Sequence, residues 1–224
     1  MIPGFGPGTP WNLLRGLYET ETRDLTFIAN AVGLGGLPGL IHVPDFIRDG
    51  RVKHVIASFT AATHPSEVSE CERAVRSGAI TADLVPQGTL AERIRAAGSG
   101  IPAFYTPAGV GTRVADGKEQ RTFRGQTYLL EEALDADYAF IRAWKADEAG
   151  NLLFRLTARN FNPIMAMAAR HTIVEVEEPI QPIGSLRPDE IHLPGAYVDG
   201  LVLIPPDGVR GVNTLQLRAA AQKD

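Results

Sequence analysis

The sequence predicts an α/β fold: an open, mainly parallel sheet flanked by helices, with a small antiparallel hairpin. Short apolar runs of strand length recur along the 224 residues, and many of the 23 glycines and 16 prolines separate them. One run, residues 82–85, passes through the turn Pro86-Gln87-Gly88 directly into a helical pattern. Strand, tight turn and helix form the unit that builds parallel sheets, so we expect a single domain over residues 1–224.

Strands are predicted where apolar and β-branched residues run together. The expected strands are residues 24–29, 52–57, 82–85, 138–144, 172–176 and 200–204. Two further extended runs, residues 120–123 and 126–130, flank Arg124-Gly125 and predict the hairpin. Residues 33–39 are rich in glycine and predict turns, and residues 206–224 are expected to form a loosely held tail.

Helix starts are predicted from capping residues and proline. Thr9-Pro10 indicates a first helix, with Thr9 capping the free amides and Pro10 in the first turn. Thr89 and Glu92 fit a capping box that opens a helix after the turn at Gln87. Asn162-Pro163 repeats the signal of a cap followed by proline, and residues 65–76 have the pattern of an amphipathic helix with Cys71 on its apolar side.

Composition excludes several classes of protein. The 22 basic and 26 acidic residues give a formal net charge of -4, which argues against a broad nucleic-acid interface. The lone Cys71 cannot form an internal disulfide, and the five histidines include no pair with zinc-ligand spacing. No apolar run is long enough to cross a bilayer. We therefore expect a cytoplasmic protein without a metal, a cofactor, a nucleic-acid partner or a membrane partner.

Four segments, taken in order, carry a family resemblance. They are residues 4–10 (GFGPGTP), 85–95 (VPQGTLAERIR), 104–112 (FYTPAGVGT) and 158–163 (ARNFNP). This ordered set resembles the alpha (A) subunit of the 3-oxoacid CoA-transferases, the family I CoA-transferases that include the succinyl-CoA:3-oxoacid and 3-oxoadipate enzymes. The likeness extends to about residue 205 and implies the CoA-transferase family I fold.

The resemblance also implies a partner. In this family a beta (B) subunit carries the glutamate that forms a thioester with CoA, within a Ser-Glu-Asn-Gly sequence. That sequence does not occur in this chain, so we expect the chain to be catalytically incomplete without the beta subunit. Family members usually have a helix and a strand ahead of the glycine-phenylalanine motif. In this sequence they are missing, so we expect either that the start was assigned too far downstream or that this variant is shortened. A missing strand would leave the loop at residues 4–10 without support and a neighbouring strand edge unpaired.

Gln87 is the strongest candidate for a catalytic side chain. Its carboxamide offers two N–H donors without a charge, so it can stabilise an oxyanion and still tolerate an incoming carboxylate. The resemblance places this glutamine, with Gly88, in the active site. A polar turn residue that bonds only nearby backbone is the alternative interpretation.

Other candidates are weaker. Gly4, Phe5, Gly8 and Pro10 form a loop that enters a helix, whose amino terminus suits anionic groups; the resemblance places this loop near CoA. Asn30 follows a strand and could bond substrate, a partner carboxylate or its own loop.

Three further sets of polar or glycine residues complete the candidates. Gly109 and Gly111 could allow close approach of a ligand, or simply form a turn. Arg159 could pair with a buried carboxylate or contact a substrate carboxylate, and Asn160 is expected to tie down the loop before the next helix. Glu175 and Glu177 are expected to be solvated.

The expected function is that of the alpha subunit of a 3-oxoacid CoA-transferase. CoA would move from an acyl-CoA such as succinyl-CoA to a 3-oxoacid through a glutamyl-CoA thioester on the beta subunit. The CoA thioester is then a substrate, and no separate cofactor is needed. The alternatives are an acyl-CoA hydrolase and a non-catalytic acyl-CoA-binding partner on the same fold. The residues do not decide between acetoacetate and 3-oxoadipate, or between a heterodimer and a heterotetramer.

Overall fold

The computed structural model describes residues 1–3, 6–33, 39–62, 64 and 66–210. Its α-helices are α1 (Trp11–Glu19), α2 (Val43–Arg48), α3 (Glu70–Ser77), α4 (Gln87–Gly98) and α5 (Asn162–Ala168). Its strands are β1 (Leu25–Ala31), β2 (Val52–Phe59), β3 (Thr81–Leu84), β4 (Ala103–Thr106), β5 (Gln120–Phe123), β6 (Gln126–Glu132), β7 (Ala136–Ala143), β8 (Lys145–Ala146), β9 (Leu152–Leu153), β10 (Ala169–Val176) and β11 (Gly200–Leu203). The predicted strands and the hairpin are confirmed within a few residues.

Two three-stranded parallel sheets form the framework, with strand orders β1-β2-β3 and β11-β10-β7. The first two residues of the chain lie between them. Ile2 pairs in parallel with Ala29 of β1, and the carbonyl of Met1 accepts a hydrogen bond of 3.1 Å from the amide of Phe140 in β7. The parallel sheet that was predicted is therefore continuous across this short junction, and the chain enters the loop at residues 4–10 from a paired position.

Helices cover both faces of the parallel sheet. On one face α1, α2 and α3 pack against a buried cluster that includes Phe27, Phe46 and Cys71. On the other face α4 and α5 pack against a second cluster that includes Ile94 and Met165. Because helices cover both faces, consecutive residues are buried in the middle of β1 and at the ends of β7 and β10, as is typical of parallel sheets.

The hairpin adopts the geometry that its sequence predicts. Arg124 and Gly125 both have left-handed backbone angles, with φ of 51° and 79°. A two-residue hairpin turn of the type I′ kind needs this conformation at both central positions. β4 pairs with β6 on the side away from β5, so the antiparallel sheet has three strands rather than the two expected.

Three helices begin at different residues than predicted. Helix α1 begins at Trp11 with Pro10 at the cap position, and no side chain of residues 9–10 caps it. Helix α3, expected from residue 65, begins at Glu70, because Ser69 caps its first turn.

Helix α4 begins at Gln87, directly after Pro86, so Thr89 lies inside its first turn and forms no capping box. The fixed backbone angle of Pro86 sets the start of α4 three residues earlier than the capping pattern suggested.

Within the described ranges, no helix combines the length and the apolar character that crossing a membrane requires. The same residues contain no group of three or more His, Cys, Asp or Glu side chains placed to hold a metal ion.

Candidate active site

The candidate residues gather at one edge of the parallel sheet. Strands β1, β2 and β3 all end at this edge. The segment that follows Ile2 begins at the same edge, because Ile2 pairs in parallel with β1. Ligands of open parallel sheets bind at the carboxyl ends of the strands. The fold therefore brings Asn30, Gln87 and the loop at residues 6–10 to the same side of the molecule.

Gln87 is the first residue of α4 and is exposed at this edge. The buried Val85 anchors the segment before it, since its amide donates a hydrogen bond of 2.9 Å to the carbonyl of Ala57 in β2. The Gln87 carboxamide donates through Nε2 to Oδ1 of Asn30 at 2.8 Å. The structure thus joins two residues that the sequence proposed separately.

Asn30 has a feature that its own loop does not explain. Its side chain is only 1% exposed, and its Nδ2 has no hydrogen-bond partner within the part of the chain that is described. Leaving such a donor unpaired costs roughly 1–3 kcal/mol. An unpaired donor beside Gln87 is the arrangement expected where a ligand or a partner group completes the bonding.

A cavity of about 410 Å³ opens beside the first turn of α4. Its lining residues are Pro86, Gly88, Thr89, Glu92, Phe104, Tyr105, Thr106 and Ala108. The first-turn amides of a helix have no intrahelical acceptors and carry a partial positive charge. A hydrogen bond from Arg95 holds the pKa of Glu92 below its usual value, so this carboxylate stays ionised and engaged in an ion pair.

The predicted glycines at this cavity have different roles. Gly88 is exposed in the cavity lining, and a Cβ there would meet open space, so packing within this chain does not require glycine. Gly109 and Gly111 have φ of 91° and 76° and belong to the turn that follows Ala108. Neither of these two glycines lines the cavity, which agrees with the turn interpretation.

The loop at residues 6–10 packs against another segment of the resemblance. Gly8 is buried with φ of 77°, and a Cβ there would lie 2.5 Å from the carbonyl oxygen of Ala158. Asn160 donates to the carbonyl of Pro7 at 2.9 Å, and Asn162 donates to that of Gly8 at 3.3 Å. Asn160 therefore holds the loop at residues 6–8, and its Oδ1 also accepts from the amide of Phe161, in the segment before α5, as predicted.

Two of the residues predicted to bind CoA, Gly4 and Phe5, lie outside the described residues.

The amino terminus of α1 corrects the sequence prediction. We expected its free amides, following Pro10, to face an anionic ligand. Instead, Oε2 of Glu175 accepts from the amides of Asn12 and Leu13 at 2.9 and 3.0 Å. A carboxylate from β10 thus caps the helix in place of a side chain from residues 9–10, and Glu175 is fully buried rather than solvated. The free amides after Pro10 are therefore already bonded by a side chain of this chain.

Arg142 of β7 completes this buried cluster. Its Nη1 lies 3.3 Å from Oε1 of Glu175, and its Nε lies 2.9 Å from Oε1 of Glu177. Burial raises the pKa of Glu175, while the bond from the Leu13 amide and the charge of Arg142 oppose that rise. The expected pairing of Arg159 with a buried carboxylate is wrong, because Arg142 occupies that role. A single arginine within the apolar strand at residues 138–144 was the available signal.

Comparison with known proteins identifies the family. A sequence model described as Coenzyme A transferase matches residues 1–203 of this chain.

This chain belongs to the coenzyme A transferase family.

Two curated relatives make the relationship more specific. The chain is 49% identical over 203 residues to the A subunit of the succinyl-CoA:3-ketoacid coenzyme A transferase of Xanthomonas campestris, covering 90% of this chain and 80% of that protein. It is 45% identical over 207 residues to the A subunit of the 3-oxoadipate CoA-transferase of Pseudomonas putida, covering 91% and 85%. The predicted assignment to a CoA-transferase subunit is confirmed. Because both relatives are named as one of two kinds of subunit, a B subunit is implied.

A solved structure supports the fold. An acyl-CoA transferase from Escherichia coli O157:H7, in a thioester complex with CoA, matches with a TM-score of 0.75 at 22% identity. The match covers 95% of this chain but 46% of that one, so this chain spans about half the length of the solved protein.

Proposed function

We propose that this chain is the A subunit of a 3-oxoacid CoA-transferase that moves CoA from succinyl-CoA to a 3-oxoacid. The observation that carries the proposal is the bond from Gln87 to Asn30. It runs from Nε2 to Oδ1 at 2.8 Å and holds a neutral hydrogen-bond donor at the first turn of α4. This arrangement can stabilise negative charge on a carbonyl oxygen. The Glu92 carboxylate in the adjacent cavity is engaged by Arg95 and is poorly suited to attack a thioester.

The nucleophile is proposed to come from the partner. The carboxylate of a B-subunit glutamate attacks the donor thioester carbonyl and displaces the CoA thiolate, which forms a mixed anhydride. The thiolate then attacks the glutamyl carbonyl of that anhydride, so the donor acid leaves with one glutamate oxygen and a glutamyl-CoA thioester remains. The same two steps in reverse, with a 3-oxoacid carboxylate as the attacking group, give the new CoA thioester and free the glutamate. A covalent intermediate of this kind divides one difficult exchange into two easier ones.

Gln87 is proposed to stabilise the oxyanion that forms at each exchange. The second N–H of Nε2 is left after the bond to Asn30, and it can point at the developing charge. A neutral amide suits this reaction because both the nucleophile and the acceptor are carboxylates. A cation at the same place would bind those carboxylates in the ground state, which lowers KM without raising kcat.

The acceptor remains a choice between acetoacetate and 3-oxoadipate, since relatives of both kinds share 45–49% identity with this chain. The CoA thioester serves as substrate, and we propose no further cofactor. Hydrolase activity and non-catalytic acyl-CoA binding are not favoured by these relatives.

The experiment that tests the proposal is reconstitution. The chain is mixed with its B subunit, succinyl-CoA and either 3-oxoacid, and formation of the new CoA thioester is followed. We expect exchange from the mixture and none from the chain alone. Exchange by the chain alone, or release of free CoA without any acceptor, would contradict the proposal.

A further inference from the structure

A second cavity lies at the same sheet edge, beside the β7–β10 half. It has a volume of about 240 Å³ and is lined by Gly6, Pro7, Gly8, Arg142, Arg155, Leu156, Thr157, Ala158 and Glu177. Its walls are the loop at residues 6–8 and the segment that follows β9. Apart from Gly8, none of these residues is predicted from the sequence to contact a ligand.

The two arginines that line this cavity differ in their contacts with carboxylates. Arg142 is neutralised by Glu175 and Glu177, and only its Nη2, buried and unpartnered among the residues described, is left to bond further. Arg155 is exposed, and its guanidinium carbon lies 5.7 Å from the ring centre of Trp144. Its guanidinium makes no ion pair within the described part of the chain. Arg155 is therefore the cation of this cavity that no acidic side chain balances.

The segment that carries Arg155 is held in an unfavourable conformation. Leu156 has φ of 50°, a left-handed angle that costs a non-glycine residue roughly 1–3 kcal/mol, and it is 84% exposed. Asn162 holds the segment through the carbonyl of Ala158 at 2.8 Å. Leu156 is not buried, and the Arg155 side chain makes no hydrogen bond to the described residues, so neither contact offsets the strain. Strain of this kind accumulates at ligand-binding segments.

We propose that Arg155 binds the free carboxylate of a dicarboxylic acyl group whose reacting end lies at Gln87. This inference rests on the proposed function and extends it to substrate choice. A planar guanidinium can bind a carboxylate through two parallel hydrogen bonds, and the unpartnered Nη2 of Arg142 offers a further donor in the same cavity.

The position and the charge both favour a carboxylate. Residues 1–2 lie between β1, whose Asn30 bonds Gln87, and β7, whose Arg142 lines this cavity, so these two strands are two strand spacings apart, roughly 10 Å. A short dicarboxylic chain and the arginine side chain can together bridge such a gap. Arg142 and Arg155 are matched in number by the two carboxylates of Glu175 and Glu177, so the cavity has no surplus of positive charge and suits a singly charged carboxylate better than a doubly charged phosphate of CoA.

The test uses the complete A–B complex with two donors, succinyl-CoA and acetyl-CoA. Both contain the same phosphates, and only the first has a free carboxylate. For Arg155→Ala we expect kcat/KM for succinyl-CoA to fall about 10- to 100-fold, mainly through KM, because a bond to a charged group contributes roughly 1.5–3 kcal/mol. We expect kcat/KM for acetyl-CoA to stay within about twofold. Arg155→Lys should lose less, and Arg159→Ala, an exposed arginine of the same segment, should change neither donor.

A second readout does not depend on turnover. Because Arg155 lies against Trp144, succinate should change the Trp144 fluorescence of the complex, while butyrate of equal chain length should not. Equal losses with both donors would place a CoA phosphate at Arg155 and overturn the proposal, as would unchanged kinetics. An inactive wild-type complex that still shows the succinate signal would contradict the proposed function while leaving the carboxylate site supported.

Discussion

Two polar clusters at the carboxyl edge of the sheet differ in how fully they are bonded. The Glu175 carboxylate accepts from the amides of Asn12 and Leu13, from the Asn12 side chain and from Arg142. The Gln87–Asn30 pair contains one hydrogen bond, and Nδ2 of Asn30 has no partner within the described residues. Glu175 and Asn30 are equally buried, so burial alone does not distinguish structural from functional residues.

The difference in bonding does distinguish them. A carboxylate whose oxygens are all engaged by the fold contributes to holding that fold together. A buried amide with an unused donor, beside an exposed carboxamide, is costly unless something else binds there. We therefore assign the Glu175 carboxylate to structure and the Gln87–Asn30 pair to chemistry, while Nη2 of Arg142, unpartnered among the described residues, is left to the second cavity. The following changes test that division.

The largest effect should come from Glu175→Ala. The change leaves the first-turn amides of α1 and much of the Arg142 charge without a partner, and breaking a buried ion pair typically costs about 3–5 kcal/mol. Urea unfolding measures this loss. The neighbouring exposed Glu178→Ala serves as the control and should stay within about 0.5 kcal/mol. A loss below about 1 kcal/mol for Glu175→Ala would contradict the structural assignment.

The pH dependence of stability should change in the same variant. Because burial raises the pKa of Glu175 in the folded chain, the folded state retains a proton that the unfolded state loses. This component of stability is fully present below the unfolded pKa and is lost as the pH rises through the folded pKa. Glu175→Ala should lack that decline, which urea midpoints measured from about pH 4 upward would reveal.

Gln87→Ala should affect turnover far more than stability. Removing one oxyanion donor typically lowers kcat by about 100- to 1,000-fold. Gln87 is exposed, but its loss leaves Oδ1 of the buried Asn30 unpaired, so the free energy of unfolding should fall by no more than about 1–3 kcal/mol. The exposed Gln120→Ala, in the distant hairpin, is the matched control and should keep full CoA exchange. A kcat for Gln87→Ala within about threefold of wild type would contradict the catalytic role and favour the alternative, a polar residue that bonds only nearby groups.

A smaller effect is expected for Asn30→Ala. Losing the bond that orients Gln87 should lower kcat about fivefold, since one neutral hydrogen bond contributes about 1 kcal/mol. In the double variant with Gln87→Ala, the Asn30 change should add little, because it acts through the glutamine. Fully additive losses in this cycle would show that Asn30 acts independently of Gln87.

The smallest effect concerns Cys71, the lone cysteine, on the face of the β1–β3 half away from the site. It is fully buried, and burial raises the pKa of its thiol to about 11. Alkylation at about pH 8, near the pKa of a free thiol, should therefore be negligible in folded protein, in Gln87→Ala and in Asn30→Ala. Rapid alkylation of Cys71 in either variant would show that the β1–β3 half has lost its packing, and that the loss of activity reflects unfolding there rather than a missing catalytic group.

Local patterns predicted the parallel strands, the hairpin and a helix directly after β3, because each depends on residues adjacent in sequence; the turn expected at residues 86–88 is instead the start of that helix. Helix α2 was missed, although Pro44 lies in its first turn and its capping box joins the amide of His42 to Asp45. The Glu175–Arg142 cluster could not be predicted, since it joins α1 to strands more than 100 residues away. For the same reason the true cap of α1 was not visible near Thr9.

The central claim is that this chain supplies the oxyanion site while the B subunit supplies the nucleophile. The most direct measurement is mass spectrometry of the A–B complex, quenched after addition of succinyl-CoA without an acceptor. We expect an unmodified mass for this chain, and on a glutamate of the B subunit we expect the mass increase of attached CoA. CoA attached covalently to a side chain of this chain would contradict the account.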